Sequence, residues 1–232
     1  MIEIFPVYIT AFKQERLIRV YLPKNYHKEN KSYPVLYMHD GQNVFQDNDA
    51  IGGTSLELES YLDENELEVI VVGIDQNSEK RLNEYCPWFN GEYSKKILGS
   101  ASLSGGKGIQ YVDFIVNELK PSIDNTYRTI KEKIEKLIQD SDLSLIESFY
   151  LDCGTKEAGD NEIINKEFFD SNKAVYELLK KKIPNAKFEM INDTEHSYLN
   201  FRERVPKIIS FLKNRGFISI YYAKGSMFIK LN

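Results

Sequence analysis

Two residues that cooperate in acyl-transfer chemistry lie late in the chain, each after a predicted strand. Glu157 follows the strand predicted at residues 149–152, and His196 follows the strand predicted at residues 187–191. A carboxylate can hold an imidazole in one tautomer while the imidazole moves a proton, which is the acid–base half of a catalytic triad. Either residue alone is more often structural, so the paired setting is what favours a site.

Other acidic residues near Glu157 and His196 compete for the role of the acid. Asp152 and Asp160 flank Glu157 in the sequence and are the alternatives. Asp193 and Glu195 precede the histidine in a polar stretch and are more typical of solvated loop charges.

The nucleophile that such a pair would serve is not apparent. No Gly-x-Ser-x-Gly occurs in the 232 residues. Ser104 precedes two glycines, but Ser102 stands where the first glycine of the motif belongs, and a polar loop precedes it instead of a strand. Ser104 is therefore a candidate that the pattern disfavours. Cys153 follows a strand without elbow glycines, which favours a buried thiol.

Residues 39–43 lie at the carboxyl end of a strand predicted at residues 34–38. Ligands of open α/β sheets bind at that edge. A glycine there lets backbone N–H groups approach a substrate oxygen, as an oxyanion hole requires, so Gly41 and Gln42 are candidates for this role. The alternative is an ordinary turn in which Asp40 bonds its own backbone.

Composition and motif checks exclude several function classes. A net charge of −5 gives no reason to expect nucleic acid or an anionic membrane as a partner. Residues 105–108 lack the spacing of a phosphate-binding loop. A calcium loop from Asp47 fails because Ile51 and Leu58 stand at ligand positions. Three histidines and two cysteines form no zinc cluster, so we expect no metal and no cofactor.

The sequence predicts a cytoplasmic protein. No apolar run approaches the roughly 20 residues that a membrane helix needs. Residues 1–6 lack the basic and apolar regions of a signal peptide. The two cysteines are too few for a disulfide framework, which favours a reducing compartment.

Strands and helices alternate along most of the chain. Apolar patterning predicts strands at residues 16–22, 34–38, 68–75, 149–152 and 187–191, and helices at residues 56–67, 109–119, 131–139, 172–182 and 201–212. The helix at 109–119 should end near Pro121. This alternation predicts one α/β domain over residues 1–232, with a mainly parallel sheet covered on both faces. Residues 217–222 and 227–231 read as a hairpin in the tail.

Several segments together resemble a known family. They are residues 33–43, 86–88, 105–121, 151–157 and 195–196, in this order within about residues 8–213. They are similar to the α/β-hydrolase family named Putative esterase, which includes enterochelin-type siderophore esterases, esterase D, and acetyl or feruloyl esterases. The resemblance implies a three-layer α/β-hydrolase sandwich and a small-molecule ester substrate. It also implies an oxyanion hole near Gly41 and Gln42, with Glu157 as triad acid and His196 as triad base.

The chain departs from the family pattern after residue 128. In the family, a strand, the nucleophile elbow, its helix and another strand follow a segment like residues 125–128. Here residues 128–130 run directly into the helix predicted at 131–139. The resemblance therefore implies that about one βαβ unit, roughly 30 residues or more, has been excised. We therefore expect a sheet without two central strands, and weak or absent esterase activity.

The excision leaves three questions open. The strand at residues 149–152 could close up beside the strand at 34–38, and the tail beyond residue 213, which has no family counterpart, could cover an edge. An uncovered edge could instead drive homodimer formation. In place of an enzyme, the chain could be a non-catalytic remnant that binds a ligand.

Overall fold

The computed structural model describes residues 1–86, 105–130, 146–213, 218–220, 222–223 and 226–231. Ser104 lies outside the described residues, as does most of the connection that contains Trp88 and Tyr93. The helix predicted at residues 131–139 also lies outside them.

Nine strands, five longer helical stretches and three short 3-10 helices (Thr10–Phe12, Gly41–Asn43 and Asp47–Asp49) are defined within the described residues. The strands are β1 (Ile2–Ile9), β2 (Gln14–Tyr21), β3 (Val35–His39), β4 (Ile70–Ile74), β5 (Ile146–Lys156), β6 (Asn185–Glu195), β7 (Ile218–Ile220), β8 (Tyr222–Ala223) and β9 (Ser226–Leu231). The helices are α1 (Leu58–Glu64), α2 (Arg81–Tyr85), α3 (Gly108–Asp113, continued by a π-helical Phe114–Leu119 and an α-helical Lys120–Thr126), α4 (Glu162–Leu179) and α5 (Tyr198–Lys213).

The strands form two groups, one of five strands in the order β1-β2-β4-β3-β7 and one of four in the order β6-β5-β9-β8. The pairs β3–β4, β3–β7 and β5–β6 are parallel. The pairs β1–β2, β2–β4, β5–β9 and β8–β9 are antiparallel. The sheet is therefore mixed, because an N-terminal hairpin and the C-terminal strands add antiparallel pairs to the parallel centre.

Helices cover both faces of the sheet, as predicted. Alternate residues of β3 and β4 point to opposite faces, so one strand supplies two separate cores. On one face, Val35 and Tyr37 pack in a cluster with Phe114 and Leu119 of α3. On the other face, Leu36 and Met38 pack in a cluster completed by α1 and α5. Helix, sheet and helix thus form a three-layer sandwich.

Three departures from the sequence prediction have a local physical reason. Helix α3 does not end at Pro121 but continues to Thr126. The proline lies in the first turn of the last α-helical segment, where a missing N–H is tolerated. Strand β1 was not predicted; it is an edge strand that contains Pro6, and proline is accepted at a sheet edge. Helix α4 begins at Glu162, because the Asn161 side chain caps it by accepting from the Ile164 N–H at 3.1 Å.

The strand predicted at residues 149–152 does not close up beside the strand predicted at residues 34–38. The C-terminal strands separate the two, since β7 pairs with β3 and β9 pairs with β5. Within the described part of the chain, no helix is both long and apolar enough to span a membrane.

Candidate functional site

Strands β5 and β6 bring the candidate acid and base together. The two strands are parallel, and Lys156 at the end of β5 pairs with Glu195 at the end of β6. The residues that follow these strand ends, Glu157 and His196, therefore emerge at the same edge. The Glu157 Oε2 lies 2.7 Å from the His196 Nδ1.

Glu157 is buried and hydrogen-bonded on both oxygens. Its side chain is only 3% exposed, and its Oε1 accepts from the Gly154 N–H at 2.6 Å. Burial by itself would raise the pKa of Glu157, but the hydrogen bonds from His196 and Gly154 outweigh it, and the pKa is lowered. A carboxylate that stays ionised accepts the Nδ1–H of His196 and leaves the Nε2 free to act as a proton acceptor.

His196 itself is open to solvent. Its side chain is 43% exposed, and its ring packs edge-on against Phe201 of α5, with 5.0 Å between ring centroids. The imidazole is therefore oriented by two contacts, with the Glu157 carboxylate and with the Phe201 ring, while remaining reachable from outside.

Gly154 is required for this arrangement. A Cβ at this position would lie 2.3 Å from the Thr194 carbonyl oxygen and 2.8 Å from the Glu157 Oε1. Only glycine lets β6 and the carboxylate approach the backbone this closely. The sequence reading did not assign a role to Gly154; its signal was a glycine directly after an apolar strand and before the acid.

The competing acids lie elsewhere. Asp152 is fully buried in β5 and forms an ion pair with Arg204 of α5 at 2.8 Å. Asp160 is exposed in the loop before α4. Asp193 forms an ion pair with Lys156 at 3.2 Å, and Glu195 is exposed. Of the acids considered from the sequence, Glu157 is the one in contact with His196.

Cys153 is not placed as a nucleophile. Its thiol is buried, and burial raises its pKa to about 12. Its Sγ lies 3.4 Å from the Gly154 carbonyl oxygen. A buried neutral thiol is a packing group and a poor attacking group.

Gly41 and Gln42 form a tight turn directly after β3. Asp40 has a left-handed backbone with φ of 54° and makes no side-chain capping bond to this turn. A Cβ on Gly41 would lie 2.5 Å from the carbonyl carbon of Gly73, so glycine is needed here for close packing on β4. The Gln42 Oε1 accepts from the Gln76 N–H at 3.0 Å. Its buried Nε2 has no hydrogen-bond partner among the described residues.

Side chains around Asp40 connect this turn to the acid–base pair. The Asp40 carboxylate accepts from Arg81 at 2.7 and 3.0 Å and from the Tyr85 hydroxyl at 3.1 Å. The Tyr198 hydroxyl, two residues beyond His196, also donates to Asp40 at 3.4 Å. Tyr198 accepts from the Asn43 Nδ2 at 2.7 Å. Tyr198 therefore ties the start of α5 to the end of β3, a role that no sequence pattern indicated.

The loop of residues 157–161, which carries Glu157 and is called the acid loop below, joins β5 to α4. An open cleft lies beside this loop, on the side of α4. Its volume is about 520 Å³, and Phe169 and Met190 provide apolar walls. Thr155 and Lys156 of β5 and Asn165 of α4 add polar groups. Asn165 holds the loop by accepting from the Ala158 N–H at 2.7 Å. The cleft falls within the usual size range of small-molecule sites.

Comparison with known proteins identifies the family. The family model described as Putative esterase matches residues 9–141, which is more than half of the chain. The uncharacterized protein YbbA of Bacillus subtilis (strain 168) is 30% identical over 118 residues, which are 50% of this chain and 42% of that protein. The chain therefore spans less than half the length of this relative.

Several solved structures share the fold. Siderophore hydrolase EstA from Aspergillus nidulans has a TM-score of 0.68 at 13% identity, over 92% of this chain and 94% of that one. The BES protein from Bacillus cereus has a TM-score of 0.62 at 17% identity, over 90% and 94%. An IroE-like serine hydrolase from Shewanella oneidensis has a TM-score of 0.59 at 16% identity, over 87% and 76%. The chain has an α/β-hydrolase fold and belongs to the Putative esterase family.

Proposed function

We propose that this protein is a carboxylic-ester hydrolase by descent, with weak or no ester turnover of its own. The observation that carries the proposal is the contrast between the Glu157–His196 contact of 2.7 Å and the absence of Gly-x-Ser-x-Gly from the sequence. A carboxylate in contact with an imidazole is what the acid–base half of a triad requires, whereas the motif that presents the attacking hydroxyl is absent from the sequence.

The chemistry that the retained pair supports is proton transfer. Glu157 holds the Nδ1–H of His196, so the Nε2 can take a proton from a hydroxyl and return it to a leaving group. Backbone amides near Gly41 and Gln42 would bind the oxyanion. Without a positioned hydroxyl, the pair can at most activate water, which forgoes the covalent intermediate that speeds ester hydrolysis. The substrate class is a small-molecule ester.

Hydrolysis of a short-chain p-nitrophenyl ester tests the proposal. We expect the wild type and His196→Ala to give the same low rate, with His27→Ala as a matched control at an exposed histidine remote in sequence. A wild-type rate a hundredfold above that of His196→Ala would contradict the proposal. Fluorophosphonate labelling with peptide mapping would then identify the serine, and a label on Ser104 would show that this residue has been recruited.

A second candidate function is ligand binding without hydrolysis, and the cleft beside the acid loop favours it. Met190 lines the cleft and is 53% exposed, whereas Leu199 is 59% exposed and does not line it. Calorimetric titration with N-phenylacetamide, which resembles an aryl ester and resists hydrolysis, should show binding that Met190→Asp weakens and Leu199→Asp does not. No heat of binding in the wild type would count against this function.

A further inference from the structure

The C-terminal strands lie between the two parallel strand pairs. Strand β7 runs parallel to β3, with Tyr37 opposite Ile220. Strand β9 runs antiparallel to β5, with Phe149 opposite Ile229. Strand β8, which begins two residues after β7 ends, pairs with β9, and β7 also contacts β9. The strands therefore follow one another as β1-β2-β4-β3-β7/β8-β9-β5-β6.

We propose that residues 218–231 replace, within the same chain, the two central strands lost with the excised βαβ unit. The facing edges of β3 and β5 are the interaction surface, and this C-terminal segment is its occupant. The proposal does not depend on whether the protein hydrolyses esters.

The number of strands agrees with this role. Paired strands lie about 4.8 Å apart, and β3 pairs with β7 while β5 pairs with β9, so two strands fill the space between β3 and β5. By the family resemblance the excised unit would supply two strands, and the segment returns two: β7 followed by β8, and β9.

The direction of β9 follows from the length of the segment. Two parallel strands need a crossover of a dozen or more residues, whereas antiparallel strands can be joined by a two-residue turn. Only residues 224 and 225 separate β8 from β9. A segment this short can fill the gap only as a hairpin, so one of its strands must run against the parallel direction of β3 and β5.

The surroundings of the gap explain why it must be filled. Helices cover both faces of β3, with α3 on one face and α1 and α5 on the other, and α4 packs against β5. Backbone N–H and C=O groups on an edge between covered faces have little access to water, and leaving them unpaired is costly. Pairing with β7 and β9 satisfies them.

Disulfide trapping in the full chain tests whether the segment pairs within its own molecule. Ser148 lies opposite Lys230, so Ser148→Cys with Lys230→Cys, in a chain without Cys86 and Cys153, places two thiols at a distance that a disulfide can span. The off-register control is Ser148→Cys with Ile229→Cys. We expect a disulfide within the monomer that forms at least ten times faster in the matched pair. Equal rates would overturn the proposal, and a disulfide-linked dimer would show that a second copy supplies the strand.

Hydrogen exchange provides an independent test. Proline is disfavoured inside a strand that is paired on both edges, so Ile229→Pro should disrupt β9, whereas Ile229→Val preserves the backbone. We expect the proline variant to lose at least tenfold protection at the Tyr150 and Leu151 amides, while Ile18 in β2 keeps its protection. Loss throughout the chain, with Ile229→Val unaffected, would likewise show that the segment holds the sheet together. Unchanged protection in β5 would overturn the proposal.

Discussion

The parallel pair β3–β4 and the parallel pair β5–β6 differ in burial. Every residue of β3 and β4 is buried, whereas β6 is half-buried or exposed along its whole length. The openness is confined to β6 and the strand ends, since the Asp152–Arg204 ion pair on β5 is buried and the Lys156–Asp193 ion pair at the strand ends is exposed. The β3–β4 side is closed by packing, and the β5–β6 side is open to solvent along β6 and where the strands end.

The two ends of the candidate site differ in the same way, since one is tightly packed and the other is accessible to solvent. The turn at Gly41 and Gln42 is packed against β4 and held by the bonds around Asp40. The pair of Glu157 and His196 combines a buried carboxylate with an exposed imidazole. The turn proposed to bind an oxyanion is therefore rigid, and the imidazole proposed to accept a proton is accessible.

The largest contrast is expected from one substitution on each side. Gly41→Ala places a Cβ 2.5 Å from the backbone of β4, which is central and cannot move aside. We expect a loss of about 3 kcal/mol in the free energy of unfolding. Gly154→Ala presses against Thr194 of the edge strand β6, which can shift, so we expect a loss of about 1–2 kcal/mol. Urea unfolding measures both, and an equal loss would contradict the contrast.

The closed side should also dominate the pH dependence of stability. Burial lowers the pKa of His39 to about 4, from an ordinary value of 6.5. The unfolded chain therefore takes up a proton before the folded one, and stability falls as the pH drops from 6.5 to 4. We expect this to cost about 3 kcal/mol. The dependence should be absent in His39→Phe, which keeps a neutral ring beside Tyr85. Parallel pH profiles of the two proteins in urea unfolding would refute the assignment.

A smaller effect is expected at the acid of the open side. Glu157→Gln removes a charged hydrogen-bond acceptor for His196 and should cost about 2 kcal/mol at pH 7. Because the pKa of Glu157 is lowered in the folded state, this contribution is complete above the ordinary pKa of 4.5 and is lost as the pH falls through the lowered pKa.

The exposed neighbour Glu195 provides the control. In urea unfolding, Glu195→Gln should stay within about 0.5 kcal/mol of the wild type across the pH range. If the destabilisation by Glu157→Gln stayed constant from pH 7 down to the lowest pH at which the protein folds, the charged hydrogen bond would not be the cause.

Most of the element types could be predicted, because apolar residues recur with the period of a helix or a strand. The strands at β3 and β4 are continuous apolar runs, and such runs indicate burial on both faces. The boundaries of an element were harder to predict where the surrounding structure overrode a local sequence signal. Pro121 is an ordinary stop signal, yet α3 continues through it because the proline falls in the first turn of a new segment.

The candidate site also contains residues that the sequence could select and contacts that it could not predict. Glu157 and His196 could be selected because each follows a strand, and the parallel register of β5 and β6 brings strand ends together. The sequence could not predict why glycine is needed at positions 41 and 154, since the need depends on how closely another strand approaches. The contact of Tyr198 with Asp40 joins residues 158 positions apart, and no local pattern encodes such a pair.

By itself, the sequence determined the alternation of strands and helices, the absence of a nucleophile elbow and the order of acid before histidine. These properties depend on residue type and spacing along the chain. Only the tertiary structure decided which strands are neighbours, and it placed β7 and β9 between β3 and β5. Backbone hydrogen bonding is the same for every residue type except proline, so the apolar pattern of the chain indicates a strand but does not specify which strand pairs with it.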